Sequence, residues 1–438
     1  MKKMQLEAIK MEDTKSKLCI ISSYNETCGN ASYTKALVAA FSDHFNVSVI
    51  SLNVDLLRKA DPKGASAYIK ILCEKLKNYD YVNIQFEAGL FGSSTALIWK
   101  RFIAITKACK RIVITMHRYD AIQTLPNLAF IGKCILSGNI KLLFSNYLKV
   151  LANNYHASLY HRIIKLCKEN NIPIIVHTQR DRNLIAIKYN YHAIFDHPLC
   201  FYTQEYIESL AKTVTKKSFC QAHNLDEDKI YIGIFGFLNK YKGHKTVIKA
   251  LSYLPSNYEV LIFGGQHPHT IKNSESINEY VHSLISLIRH YDFQDRVKFC
   301  GMLNDESFLK ALLACDFNVL PYLEVNQGGS AIASLSLETN SNTIFSQNLA
   351  FFELAKYAPN CLQMFTIGNP IELAHTIMRY KKTDYSPYLM EYHKKYNINT
   401  SINLYKQLFQ ISGKTAIENS KNEIAPPLVE LIDLLHNL

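Results

Sequence analysis

The sequence predicts an α/β protein of two strand–helix domains, and three observations predict it. With 438 residues and 48% hydrophobic content, the chain can bury two cores rather than one. Short apolar runs alternate with helical stretches twice, over 17–205 and again over 206–410, on either side of a polar helical junction at about 200–228. Charge divides at the same place. Residues 1–215 hold 28 Lys and Arg against 16 Asp and Glu, whereas residues 216–438 hold 21 of each.

After a polar leader of about sixteen residues (1–16), residues 17–24 (KLCIISSY) form a continuous apolar run and therefore a buried strand. Residues 25–30 (NETCGN) turn into a helix over 31–41, and 46–52 is a second strand. Gly29 stands at that first turn, but GxGxxG is absent, which argues against a dinucleotide cofactor. Residues 81–86 then end at Glu87 and the AGLFG loop, 111–116 end at His117, and 172–176 end at His177. Residues 193–195 lead to Asp196-His197-Pro198. Strand ends that bring Glu87, His117 and His177 to one rim would line a cleft. His177 and His197 read rather as structural or loop residues, while Glu87 and His117 stand evenly between the two roles.

The second alternation opens with a strand at 230–235 (IYIGIF), a loop at 236–245 (GFLNKYKGHK), a helix at 246–253 and a strand at 259–263 (EVLIF). A helix over 275–290, a strand at 297–300 and a helix at 305–314 follow. The stretch 321–346, PYLEVNQGGSAIASLSLETNSNTIFS, is the most informative in the chain. It leaves a buried strand (317–320), crosses a polar loop and opens a helix with Gln327-Gly328-Gly329-Ser330. Two glycines let the backbone approach a ligand closely, and the free N–H groups of a helix start suit an anion such as a diphosphate. A tight turn alone would also explain Gly-Gly. Its position after a strand's C-terminal end, where open α/β sheets hold ligands, favours a site for a nucleotide-linked group. Beyond residue 351 the pattern is helical through 370–380 and 388–409, and the tail 411–438 ends in an apolar helix after Pro426-Pro427. Asp226-Glu227-Asp228 precedes a strand instead of following one, so it reads as a solvated acidic cap and not as a metal site.

The eleven cysteines are scattered, with no CxxC pair and no metal spacing, which fits a reducing cytoplasm. Neither a secretory signal nor an apolar run of the roughly 18 residues that a membrane span needs is expected from the pattern. Residues 100–168 carry twelve basic residues against one acid, Asp120, interleaved with apolar and aromatic side chains. Such a surface favours an anionic partner, namely phospholipid head groups, a lipid-linked phosphate or a phosphorylated glycan. A solvated basic face is the plainer alternative. No recognised nucleic-acid module accompanies the tract, so nucleic acid is not an expected partner.

In order, CGNASYT (28–34), IQFEAGLFG (84–92), ITMH (114–117), GFLNKYKG (236–243) and PYLEVNQGGSAI (321–332) resemble the family 4 glycosyltransferases. The resemblance spans roughly 17–380. It implies two Rossmann-like domains facing across a cleft (the GT-B fold), with a C-terminal helix able to return to the N-terminal domain. It also implies transfer from a nucleotide-sugar donor with retention of configuration and without a metal or other cofactor. Lys242 resembles the lysine that contacts the donor diphosphate, and Gly328 and Gly329 the turn that cradles it. Gln327 stands where the family's first motif glutamate meets the donor sugar. His117 matches the histidine facing that sugar, Gly29 the glycine loop across the cleft, and the loop with Gly301 and Met302 the base contact. Gly236, Glu324 and Ser330 fall on the implied donor side, and Glu87 and Arg118 join His117 on the acceptor side.

Three positions depart from the family pattern. The second motif glutamate falls at Leu335, with Glu338 the nearest acid; Asn340-Ser341-Asn342 replaces Gly-x-Pro; and Phe237 replaces an arginine. The expected function is therefore sugar transfer to a cell-envelope glycan or an anionic lipid-linked acceptor. The expected place is the cytoplasm, at the inner face of the membrane where the basic tract makes contact. A catalytically impaired partner subunit and a nucleotide-sugar epimerase are the alternatives.

Overall fold

The computed structural model describes residues 15–24, 29–58, 61–120, 128–266, 279–323, 328–380 and 386–412. Strands β1 (Lys17–Ser22), β2 (Asn46–Ser51), β3 (Tyr81–Phe86), β4 (Arg111–Met116), β5 (Ile174–Val176) and β6 (Ile194–Asp196) form one sheet in the order β2-β1-β3-β4-β5-β6. A second sheet runs β12-β11-β10-β7-β8-β9. Its strands are β7 (Ile230–Phe235), β8 (Tyr258–Phe263), β9 (Val297–Gly301), β10 (Phe317–Leu320), β11 (Thr343–Ser346) and β12 (Gln363–Phe365). Every pairing in both sheets is parallel.

Parallel strands covered by helices on both faces are buried throughout, which is why β1, β4, β7 and β8 read as near-continuous apolar runs. The edge strand β2 (NVSVIS) is only half-buried and carries polar residues. In β7 and β8 the faces alternate. Tyr231, Phe235, Leu261 and Phe263 join the core that continues into the first domain, while Ile232, Ile234, Val260 and Ile262 pack in a separate cluster.

Strand order positions the cleft. In the first sheet the chain moves outward from β1 to β2 and then returns to the other side with β3; in the second it moves from β7 through β8 to β9 and returns with β10. Each reversal leaves a crevice at the C-terminal strand ends, where no helix covers the sheet. The segments that leave those ends begin at Ser23 and Glu87 in front, and at Gly236 and Pro321 behind.

Two expectations are corrected. The region after residue 351 is not helical throughout: β12, three residues long, pairs with β11, and a run that short shows no period-2 pattern. The helix Ile398–Ile411, read from sequence as part of the second domain, packs on the first. Tyr405 lies edge-on to Phe41 at 5.4 Å, and its hydroxyl is 2.5 Å from Thr115 Oγ1 on β4. The apolar segment after Pro427, expected to be the returning helix, lies outside the described residues.

The basic tract does not form one surface either. Arg101 is buried and donates to the Leu57 and Phe91 carbonyls (2.8 and 2.6 Å), and Arg118 turns to the cleft. Lys110 and Arg111 sit at the start of β4, whereas Lys133, Lys141 and Lys149 lie on a hairpin of the helices Leu128–Leu136 and Ile140–Glu169. The second of these has 30 residues, so about 45 Å separates its ends. Among the described residues no helix is long and apolar enough to cross a membrane, and no His/Cys/Asp/Glu group is arranged to hold a metal ion.

Candidate functional site

A cavity of about 440 Å³ lies between the two sheets at their C-terminal ends. It brings together Gly29, Glu87, His117 and Arg118 from the front, with Gly236, Lys242, Met302, Gly328, Gly329 and Ser330 from the back. Gly301 is exposed at φ +76° and stands outside it, and Glu324 and Gln327 lie outside the described residues. Leu335, where the family pattern has its second acid, lines the cavity with apolar surface.

The back wall is built on glycines that nothing larger could replace. Gly236 takes φ +107°, and a Cβ on Gly264 would lie 1.9 Å from the Gly236 carbonyl oxygen. The turn Lys240–Lys242 is closed by Gly243 at φ +73°, where a Cβ would fall 1.8 Å from the Pro321 carbonyl oxygen. Leu323 N donates to Tyr241 O at 2.7 Å, so this turn and the segment leaving β10 are locked together. Lys242 is thereby held buried, its Nζ donating to the Tyr322 hydroxyl and lying 3.9 Å from that ring's centroid. Burial pulls its pKa below the ordinary lysine value. Among the described residues no carboxylate pairs with it. The Tyr322 hydroxyl is in turn 3.1 Å from Ser330 Oγ, which caps the helix Ala331–Glu338 by accepting from Ala333 N at 3.3 Å. A cation and a helix N-terminus thus meet over one gap, joined by two hydrogen bonds.

The front wall is a chain of polar side chains. Asn83 Nδ2 donates to Val113 O (3.1 Å), its Oδ1 accepts from Gln85 Nε2, and Gln85 Oε1 then faces His117 Nε2 at 2.7 Å. His117 Nδ1 is 3.2 Å from His177 Nε2, and His177 Nδ1 donates to His197 O at 3.0 Å. Backbone carbonyls anchor both ends, so the polarity is fixed: both outer ring nitrogens must carry a proton, and the contact between the rings needs a third. Two neutral imidazoles hold only two. Burial, reinforced by the neighbouring ring, holds His117 well below its ordinary pKa, and burial takes His177 down to about 4, so at neutral pH both rings are neutral and the contact between them lacks its third proton.

Other groups frame this pair. Tyr33 packs edge-on against both rings at 5.7 and 5.6 Å. A Cβ on Gly328 would lie 3.1 Å from His117 O, and one on Gly329 3.8 Å from His177 Cβ, so the diglycine turn rests on the histidines. Burial raises the pKa of Glu87 and brings Asp181 to about 6. Arg118 pairs with Asp120 at 3.2 Å. Glu338 does not face the cavity: its Oε1 accepts from Phe201 N at 2.7 Å, tying the domains, and burial pushes it to about 8. Ser32 and Lys35 reach Asp305, and Arg180 N donates to Glu353, on the same seam.

Sequence reasoning missed Tyr322, Gln85 and Tyr33, and it took His177 for a structural residue. A signal existed for one of them. Asn83 and Gln85 are polar residues two apart in a buried strand, hence on one face, where they must find partners.

Residues 215–333 match the model of the family described as glycosyl transferases group 1. This is the GT-B fold. Sucrose-phosphate synthase from Thermosynechococcus elongatus superposes with a TM-score of 0.63 at 16% identity, over 91% of this chain and 100% of that one. A glycosyltransferase from Rickettsia africae gives 0.61 at 12%, over 91% and 98%. Anabaena HepE in complex with UDP and glucose gives 0.58 at 13%, over 89% and 99%. At these identities the likeness establishes the GT-B architecture, and the family match adds the group 1 glycosyltransferase segment, which covers most of the second sheet and the diglycine turn. No curated protein matches the chain.

Proposed function

We propose that the protein is a retaining, metal-independent glycosyltransferase that moves a sugar from a nucleotide-sugar to a glycan or an anionic lipid-linked acceptor of the cell envelope. One observation carries the reading: buried Lys242 and the Gly328-Gly329-Ser330 turn share one wall of the interdomain cavity. HepE was solved with UDP and glucose, which makes UDP-linked sugars the first donors to try.

Departure of the nucleotide builds negative charge on its β-phosphate. A fixed ammonium and backbone N–H groups in a water-poor cleft stabilise that charge where it develops, without a resident metal. In the front-face course, the bond between the sugar's anomeric carbon and the phosphate oxygen breaks with its electrons going to phosphate. The acceptor hydroxyl forms the new bond from the same side, and its proton passes to the phosphate oxygen. No protein nucleophile is needed. Lys242 and the diglycine turn hold the donor, His117 faces the sugar, and Glu87 and Arg118 stand on the acceptor side; Gln327 joins the donor residues on the family resemblance alone. The domain contacts around the cavity exclude water and orient both substrates. We place the protein in the cytoplasm, at the inner face of the membrane, in polysaccharide biosynthesis.

The apolar surface of Leu335 in the cavity favours a second reading, a partner subunit without activity. Thermal-shift measurements with a panel of nucleotide-sugars, followed by product analysis, separate the two. A shift with one donor and a product of retained configuration is the expected result. No shift with any donor would move the assignment to the partner subunit, and interconversion of the donor sugar to an epimerase.

A further inference from the structure

We infer that the helical hairpin of Leu128–Leu136 and the first turns of Ile140–Glu169 docks on an anionic lipid bilayer and sets the acceptor wall of the cleft against it. Ile140, Phe144, Tyr147, Leu151 and Tyr155 are all exposed and fall at i, i+4, i+7, i+11 and i+15, which places them in one stripe about 22 Å long. Leu136, the last residue of the preceding helix, is 90% exposed, and Ile140 and Phe144 are 76% and 61% exposed. Between the two helices lies an apolar groove of about 310 Å³ lined by Ile131, Leu143 and Val150. Ile135, Leu142 and Leu148 are exposed beside the stripe as well, and an apolar patch of this extent marks a contact with a partner.

Charge selects the occupant. Lys133, Lys141 and Lys149 are exposed on the same hairpin, and no Asp or Glu occurs between Asp120 and Glu169. A second copy of the chain docking through this face would set lysine against lysine, because a twofold contact uses the same patch on both partners. A surface of anionic head groups takes the ammonium groups while the apolar stripe enters the acyl boundary, as it does for interfacial amphipathic helices.

Topology gives the docking its direction. The chain passes from β4 through His117 and Arg118 at the cavity rim before it forms the hairpin, and Ile140–Glu169 then runs back to the start of β5. The exposed half of that helix is therefore at the end of the first sheet that carries the acceptor wall. That the bilayer presents the acceptor rests on the transferase reading; the docking itself does not.

The test is sedimentation of the full chain with phosphatidylcholine vesicles, with and without phosphatidylglycerol. Wild type is expected to sediment only with the anionic vesicles and to be released by salt. The K133Q/K141Q/K149Q variant is expected to partition about a hundredfold less, from roughly a factor of five for each lysine, and F144S/Y147S/L151S to lose binding in low salt as well. Both variants replace exposed side chains, and unchanged melting temperatures check their folding. Equal binding to neutral vesicles, binding that survives both variants, or no binding by wild type would overturn the proposal. So would a dimer that the apolar variant dissociates. Nucleotide-sugar thermal shifts on the same samples keep the two readings apart: vesicle binding without any shift sinks the transferase and leaves the docking, and the reverse result does the opposite.

Discussion

The two walls of the cleft are built by different means. The back wall is local: Gly236, Lys242, Gly243 and the Gly328-Gly329-Ser330 turn come from two loops of one sheet, locked by backbone geometry that tolerates no side chain at Gly243 or Gly264. The front wall is assembled at long range, from Asn83 and Gln85 on β3, His117 after β4 and His177 after β5, through side-chain hydrogen bonds whose polarity leaves room for one more proton. One wall is a rigid cationic cradle. The other is a buried chain whose two imidazoles are held neutral by burial.

The comparison is broken most severely at Gly243. Gly243→Ala would drive a Cβ into the Pro321 carbonyl at a left-handed backbone position, and we expect a loss of stability of about 3 kcal/mol or more by denaturant unfolding, with loss of nucleotide binding. An alanine variant as stable as wild type would mean that the two back loops are not locked as described.

The front wall is tested by proton linkage. His177, held to about 4 against an ordinary value near 6.5, refuses protons that the unfolded chain accepts, so stability present at neutral pH falls as pH drops from about 6.5 towards 4. His177→Gln removes that group, and the loss of stability between pH 7 and pH 5 is expected to shrink by on the order of 1 kcal/mol. In wild type, binding of a nucleoside diphosphate at pH 7 is expected to take up a proton, measured by calorimetry in buffers of different ionisation enthalpy, and in the variant not to. Equal uptake in both would place the proton elsewhere.

How much of this the sequence could reveal follows from the same contrast. The two-domain α/β fold was legible because parallel, doubly covered strands such as KLCIIS and IYIGIF must be apolar throughout. The diglycine turn of the back wall was legible because glycine positions before a helix state their backbone demands directly, whereas Lys242 entered through the family resemblance. The front wall was only half legible. Gln85 and His177 are identified by the partners at their tips, and contacts across 32 and 60 residues leave no periodic trace in the chain. His177 therefore looked structural, and the helix Ile398–Ile411 looked like part of the wrong domain until Tyr405 was found against Phe41 and Thr115. The three-residue β12 was too short to show a period.

The central claim is that Lys242 and the diglycine turn hold the phosphates of a nucleotide-linked sugar. The direct measurement is single-turnover transfer, with the donor that the shift panel selects, by wild type and by folded Lys242→Ala. Removing one preorganised charge from a developing phosphate anion is expected to slow the step by at least about a hundredfold. A Lys242→Ala protein that transfers sugar at nearly the wild-type rate would contradict the claim.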